Sequence, residues 1–490
     1  MSLVACVDFG STFTKAALVD VDDGRLLATA SHRTTLDGDV LDGWEACRAR
    51  LAAEHADARH ADVLACSSAG GGLRIAVVGN EDLVTAEAGR RVALSSGGRV
   101  VHVASGLLDV HRVEALRQAA PDVVLLVGGT DHGNAEVLLS SAKALARGAA
   151  VAPVTPVVVA GNIGAQVEVA AILRDAEVPH VRADNVLPRI GVLAPDSARA
   201  AIRAVFLEHV IGGKNLSSRA DFTEIVRGAT PDVVLDAVRL LARDAGDAGG
   251  WGDVVVVDVG GATTDVHSVV EVDPEDAGLA CQVVAPTPVT RTVEGDLGMR
   301  WSAPDTVAAG REHGLVGEDE YAGLERTARR RRAMPAYLPA DDARHASRER
   351  SRDERLATVA AGVALRRHAG RQQVRFGPDG RLVERTGKDL REVDLLVGSG
   401  GVLRHNGAAF ARRVLEASFG YDVAGGWLLP RAPRVVVDDD YVLAAAGLLV
   451  ADHPEAARAL LHRLLEPKRA TRHRRGTDED MNRSMKRTHR

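Results

Sequence analysis

The stretch VDFGSTFTK, residues 7–15, takes a strand-like apolar run into an acid, Asp8, and then crowds Gly10, Ser11, Thr12 and Thr14 ahead of Lys15. Taken alone it reads equally well as a tight hairpin, because Gly and Ser favour turns. A second stretch changes the weight of the first. VVVVDVGGATTD, residues 254–265, again ends an apolar strand in an acid, Asp258, followed by Gly260, Gly261, Ala262, Thr263, Thr264 and Asp265. One such loop is weak evidence; two, at matching points of two β-rich regions, argue for a shared task.

The spelling suits a triphosphate. Backbone N–H groups must come close to the phosphates, and Gly or Ala permits that approach, while Ser and Thr hydroxyls add donors around an anion-binding turn. A carboxylate at a strand end repels phosphate but can hold a hydrated Mg²⁺ that bridges to it. Asp8 and Asp258 are the expected metal-holding acids, through water, with Asp265 as a third acid near the reacting group. Lys15 supplies a point charge for a β- or γ-phosphate. A third segment, LLVGSGGVLRH at 395–405, runs strand, then Gly398, Ser399, Gly400 and Gly401, then helix start, and suits the sugar and base of a nucleotide. Position 403 is Leu, so the segment is not the GxGxxG of a dinucleotide fold, and no GxxxxGK[ST] stretch occurs.

At 490 residues the chain exceeds one ordinary core, and 46% hydrophobic with 26% charged residues describes a globular protein. The formal net charge of −6 gives no reason to expect a nucleic-acid partner. Cys6, Cys47, Cys66 and Cys281 are scattered without a CxxC pair, so neither a disulfide framework nor a zinc knuckle is expected and a reducing cytosol fits. The opening residues enter a strand directly, with no signal-peptide pattern, and no apolar run reaches the length of a membrane span.

The order of elements predicts an α/β chain. A hairpin turning at Asp22-Asp23-Gly24 opens it, then a helix around 43–54 and a strand in DVLACSSAGGGLRIAVVG. From about 120 come continuous apolar runs, PDVVLLVGG and TPVVVAGN, each leading into a helix. Their 34-residue spacing, Val123 to Val157, is the size of one βα unit of a parallel sheet. A helix near 197–210, a polar connection, the second acid-tipped strand, a charged helical region at 318–368 and an Ala/Gly-rich helix at 441–449 follow. Residues 467–490 are basic, poor in apolar side chains and expected to be disordered.

The ordered trio of loops resembles the actin, heat-shock chaperone and sugar-kinase superfamily. The resemblance implies two ribonuclease-H-like lobes around an ATP cleft, here 1–250 with an inserted βα subdomain and 251–466. The helices near 197–210 and 441–449 are then the two interlobe connectors. A finer resemblance rests on DFGSTFTKAALVD, VGGTDHGN, VVVAGN, DVGGATTDVHSV, TVEGDLGMRWS and VGSGGVL. At these separations they are similar to the mutase-associated MutL (GlmL) family, unrelated to the mismatch-repair protein of that name. It implies an ATP-dependent reactivating chaperone for an adenosylcobalamin-dependent glutamate (methylaspartate) or related amino-acid mutase. The cofactors would be ATP and Mg, with adenosylcobalamin in the partner enzyme alone, and hydrolysis would be slow and coupled to lobe motion. A small-molecule kinase and an activator ATPase of a radical enzyme stay open as alternatives. Gly295 and Gly298 of EGDLGMRW resemble a ribose-side segment of the chaperones, and Asp296 is either a water-orienting base or a turn acid. The pair Asp131 and His132 has no second ligand pair at metal spacing.

Overall fold

The computed structural model describes residues 2–35, 38–69, 73–96, 98–149, 155–210, 216–217, 219, 221–243, 250–271, 287–339, 345–377, 380–421 and 423–466. The basic tail expected to be disordered lies outside the described residues, as does Cys281. Among the described residues no helix is long and apolar enough to cross a membrane.

In the first lobe β1 (Leu3–Phe9), β2 (Phe13–Asp20) and β3 (Arg25–Arg33) form an antiparallel meander, and β4 (Asp62–Ser67) adds parallel to β1. The chain then leaves this sheet to build β5 (Leu73–Gly79), β6 (Gly98–Ser105), β7 (Val123–Leu126), β8 (Val157–Val159) and β9 (His180–Arg182). These form a separate all-parallel sheet in the order β6-β5-β7-β8-β9. Its strands are covered on both faces, Ile75 and Val77 by one cluster and Ala76 and Val78 by another, as parallel sheets require. Val124 pairs with Val157, so the 34-residue repeat is one βα step of the inserted subdomain. The run read as a single strand at 62–79 is two strands, β4 and β5, assigned to different sheets.

The chain returns as β10 (Val226–Ala229), completing the order β10-β4-β1-β2-β3. The second lobe repeats it with β11 (Val254–Val259), β12 (Thr264–Val269) and β13 (Val289–Glu294). A small hairpin, β14 (Arg371–Gly377) with β15 (Gly380–Thr386), precedes β16 (Leu395–Ser399) and β17 (Arg434–Val437). The order β13-β12-β11-β16-β17 matches the first lobe strand for strand, with three antiparallel strands and two parallel additions. The molecule is therefore α/β with two ribonuclease-H-like lobes and a βα insertion in the first.

Two helices fill the space between the sheets: Thr230–Arg243, directly after β10, and Val442–Leu449, shortly after β17. Val234, Val238 and Leu241 of one and Val442, Leu443 and Leu449 of the other share a core with Val4 and Cys6 of sheet one and Val254 and Val256 of sheet two. Each such side chain taken out of water contributes about 1.5–3 kcal/mol, which holds the lobes to a common spine. This corrects one connector. The helix at Asp196–Val205 packs on the inserted sheet, and the crossing helix is Thr230–Arg243, within the stretch read as a polar connection. Its start is signalled by Thr230-Pro231, a Pro in the first turn where the missing N–H costs nothing.

Candidate functional site

Strand periodicity decides where the acids point. Side chains alternate across a strand, and in β1 Ala5, Val7 and Phe9 face the outer core while Val4 and Cys6 face the interlobe core. Asp8 continues the inward series. In β11 Val255, Val257 and Val259 face outward and Val254 and Val256 inward, so Asp258 also projects between the lobes. The same alternation puts Lys15 and Asp265 inward, each in register with its lobe's acid: Asp8 opposite Lys15, Asp258 opposite Asp265.

The turns after the two strands share one backbone. Gly10 N donates to Phe13 O at 3.2 Å, and Gly260 N donates to Thr263 O at 2.9 Å. They meet tip to tip: a Cβ placed on Gly261 would lie 2.9 Å from Thr12 Oγ1. Thr12 Oγ1 at this contact and Asp265 Oδ1 on the inward face of β12 are buried with no hydrogen-bond partner among the described residues; Thr264 Oγ1 has none either, but the alternation turns it to the outer face, as it turns Thr14. Buried polar atoms are nearly always partnered, so the two inward orphaned oxygens, one from each lobe, mark a place built for something polar.

The first-lobe acid is fully engaged. Asp8 Oδ1 accepts from Thr230 Oγ1 at 2.6 Å and faces the Cys66 thiol at 3.7 Å. Asp8 Oδ2 accepts from Tyr441 OH at 2.8 Å and from Lys15 Nζ at 3.3 Å. Lys15 also donates to Tyr441 OH at 2.6 Å. Burial pushes the Cys66 thiol and the Tyr441 phenol well above their ordinary values, with the Asp8 charge adding to both, so both stay neutral donors. Tyr441 holds its place with φ +59° and ψ +44°, a left-handed backbone that costs a bulky residue on the order of 1–2 kcal/mol.

The second-lobe acids are barely neutralised. Asp258 accepts from Ser399 Oγ at a long 3.4 Å, and burial holds its carboxyl above the usual range, opposed by Lys15 and reinforced by Asp8. Asp265 is pushed up to about 7 by burial, which Arg291 opposes and Asp258 reinforces. The fully buried Arg291 guanidinium stands 4.0 Å from Asp265 Oδ2, too far to cancel the desolvation. Behind β17, Asp438 caps the Val442 helix through Val442 N at 2.7 Å and Leu443 N at 3.1 Å, and burial raises it to about 6.

Not every expected ligand faces the cleft. Thr14, beside the inward Lys15, points outward, bonds Thr34 Oγ1 at 3.3 Å and packs against Gly43. Gly398 likewise faces Leu403 and Leu415, and it is its neighbour Ser399 that reaches Asp258. Gly400, at φ +97°, lets the third loop press onto the second lobe: a Cβ there would lie 2.3 Å from Val259 O and 2.8 Å from Asp258 Oδ1. Gly401 begins the short helix behind it. Gly298 sits under the second loop, whose Gly260 and Gly261 carbonyls accept from Met299, Arg300 and Trp301, and whose Ala262 carbonyl accepts from Ser302 Oγ. Gly295 packs beneath Arg99 of the insertion. Both therefore brace the site from behind. Asp296 is clamped by Arg367 at 2.7 and 2.9 Å, which holds its carboxyl down and makes it a turn acid. The glycine loops of the insertion are locked to one another: Asn162 Oδ1 accepts from His132 N and Gly164 N, and Asn185 donates to Asp131 Oδ1 at 2.9 Å.

Thr230, Tyr441, Cys66, Asp438 and Arg291 are site residues that the sequence reading passed over. VVVDDDYVL, 435–443, carried a signal, being a third apolar strand that ends in acid.

Two matched sheets, two crossing helices and facing acid-tipped turns define the two-lobed ATPase fold shared by actin, the heat-shock chaperones and the sugar kinases. The chain belongs to the MutL protein family, whose model matches residues 4–465. It is 35% identical over 470 residues to Protein MutL of Clostridium tetanomorphum, spanning 95% of this chain and 99% of the relative. Among solved structures it is similar to a nucleotide-free diol dehydratase-reactivating factor, at 13% identity and TM-score 0.35, covering 93% of this chain and 100% of that one. It is also similar to the ethanolamine utilization protein EutJ of Carboxydothermus hydrogenoformans, at 11% identity and TM-score 0.26, covering 94% and 90%. Likeness at that level adds nothing to the fold read from the strand order.

Proposed function

We propose that this protein binds and slowly hydrolyses ATP between its lobes and uses the resulting lobe motion to reactivate a partner enzyme. The partner would be an adenosylcobalamin-dependent glutamate (methylaspartate) or related amino-acid mutase. What carries the ATP half is the meeting of the Asp8 and Asp258 turns at Gly261 and Thr12, with buried, orphaned Thr12 and Asp265 oxygens on the inward side. The mutase half is supported by family membership alone.

The residues fit a magnesium nucleotide. Asp8 and Asp258 would hold Mg²⁺ through its waters, and the ion would supply charge neutralisation at the phosphates. Amides of both turns line the position where charge develops on the transferred phosphoryl group, and Lys15 adds a cation there. Asp265, held near neutrality, is matched to accept a proton from an attacking water at physiological pH. Ser399 and the Gly400 approach place the third loop beside Asp258, on the sugar side. Loss of the terminal phosphate then removes contacts that only the closed arrangement satisfies, and the partner follows that shift in proportion to its preference between the two states.

The test starts from a purified adenosylcobalamin-dependent mutase inactivated by turnover. This protein is added with excess coenzyme, with ATP or a non-hydrolysable analogue, as wild type or Asp258→Ala. Recovery with wild type and ATP only is expected. Recovery that ignores ATP ends the reactivase reading and leaves nucleotide binding to be measured on its own.

A further inference from the structure

Both interlobe helices begin on the same carboxylate. Thr230, the first residue of one, donates to Asp8 Oδ1, and Tyr441, the residue before the other, donates to Asp8 Oδ2. The Tyr441 hydroxyl uses its one proton on Asp8 and accepts from Lys15, so it joins the two groups that the nucleotide reading assigns to metal and phosphate. Its ring lies under the same ammonium, 3.8 Å from Nζ, with the Arg404 guanidinium 5.5 Å away. Beside it lies a small cleft lined by Ala17, Thr29, Ala445 and Leu448.

We propose that Tyr441 is a built-in latch: its hydroxyl engages both Asp8 and Lys15. It must let go before either can serve a magnesium nucleotide, and letting go reseats the start of the helix Val442–Leu449 between the lobes. The left-handed backbone at Tyr441 fits this role, because a strained residue persists only while its contacts hold it. Release relaxes the turn between Asp438 and Val442. The helix that moves contributes Val442, Leu443, Ala446 and Leu449 to the core shared by both sheets, so its seat sets the lobe angle. Among the described residues Asp258 carries no such latch; its donor is Ser399 at 3.4 Å.

The inference rests on the nucleotide reading above, and its test separates the two. Tyr441→Phe keeps the ring and deletes the hydroxyl. Calorimetry with Mg·ADP should give about tenfold tighter binding for the variant, since a hydrogen bond to a charged group no longer competes. Amide exchange across Val442–Leu449 should be slow in the free wild type, faster with Mg·ADP, and already fast in the free variant. No heat from wild type with Mg·ADP overturns both readings. Binding by wild type with equal or weaker affinity in the variant overturns the latch alone. Should the variant fail to fold, wild-type exchange decides: protection at Val442–Leu449 unchanged by Mg·ADP also overturns it.

Discussion

The turn at Asp8 and the turn at Asp258 have the same Gly N to residue-three-on carbonyl bond, the same opposing strand and the same parallel neighbour. Opposite Asp8 stands Lys15, and beside it Cys66; opposite Asp258 stands Asp265, and beside it Ser399. The backbone thus fixes three inward positions in each lobe, and the side chains divide the work. The acid of lobe one is engaged by its own lysine and threonine and by Tyr441 from the second half of the chain. Lobe two keeps two acids that burial still holds above their usual range, with Arg291 no nearer to Asp265 than 4.0 Å. The lesson is that a duplicated scaffold can place one half as the holder and the other as the half that needs a ligand.

The strongest way to break that division is to remove the acid unique to lobe two. Asp265→Asn should lower ATP turnover by about a hundredfold or more, the range of a lost general base, while Mg·ADP affinity changes little. Phosphate-release assays beside calorimetry check it. In the wild type, turnover should fall as pH is lowered, because the base acts only when deprotonated, with its midpoint drawn below the burial-raised value of about 7 by the Mg²⁺ beside Asp258. A variant that hydrolyses normally would move the base elsewhere.

Stability should answer in opposite directions for the two registered partners. Lys15→Met leaves Asp8 buried without its cation, and with Lys15 about a quarter exposed the loss is on the order of 1–3 kcal/mol. Asp265→Asn should stabilise. Its folded value near 7 lies above the ordinary 3.8, so the native state holds the proton more tightly than the unfolded chain. Between those values the native carboxyl is protonated and the unfolded one is not, and stability falls as pH rises through the window. Above pH 7 the ionised native acid costs roughly 2–4 kcal/mol, which asparagine avoids; below about pH 4 the gain vanishes. The neutral state already forgoes the Arg291 attraction, so that loss is counted. Melting curves at pH 4.5 and 8 read both variants.

Much of this site was legible because its chemistry is local. Acid, glycines and hydroxyls fall within a few residues of each strand end, and the alternation that turns Asp8 and Asp258 inward is written in the same stretch. The same alternation separates the inward Lys15, Asp265 and Ser399 from their outward neighbours Thr14, Thr264 and Gly398. Other features depend on distant pairing. Nothing near Asp8 announces Tyr441, 433 residues away. The run 62–79 reads as one strand because both halves are apolar, and only the sheets they join divide it. The crossing helix was hidden between polar flanks, although Thr230-Pro231 marked its start.

A smaller effect tests where the matched backbones part. Within β4 the residue following Cys66 is Ser67, an ordinary strand residue opposite Phe9; after β16 the residue following Ser399 is Gly400, at φ +97°. Gly400→Ser would give lobe two the side chain of lobe one. It should cost about 2 kcal/mol or more, from the left-handed backbone and a Cβ 2.3 Å from Val259 O. Nucleotide affinity should fall with it, because the third loop could no longer approach Asp258. Serine accepted there without loss would mean that the loop is free to stand off.

The smallest effect exchanges the side-chain donors themselves. Cys66 lies 3.7 Å from Asp8 Oδ1, and its register mate Ser399 lies 3.4 Å from Asp258 Oδ2. Cys66→Ser makes the two lobes spell the same donor. A hydroxyl donates more strongly than a thiol, but its shorter bond to Cβ leaves it no nearer the carboxylate, and Thr230 already serves that oxygen at 2.6 Å. The two effects oppose, and the change should stay within about 1 kcal/mol, the net worth of an ordinary hydrogen bond. Differential scanning calorimetry of Cys66→Ser beside Ser399→Ala makes the comparison. Asp258 has no second close donor among the described residues, so the lobe-two variant should lose more. Equal losses would show that the first lobe's acid is no better provided for than the second's, and the division of labour drawn from their neighbours would fall.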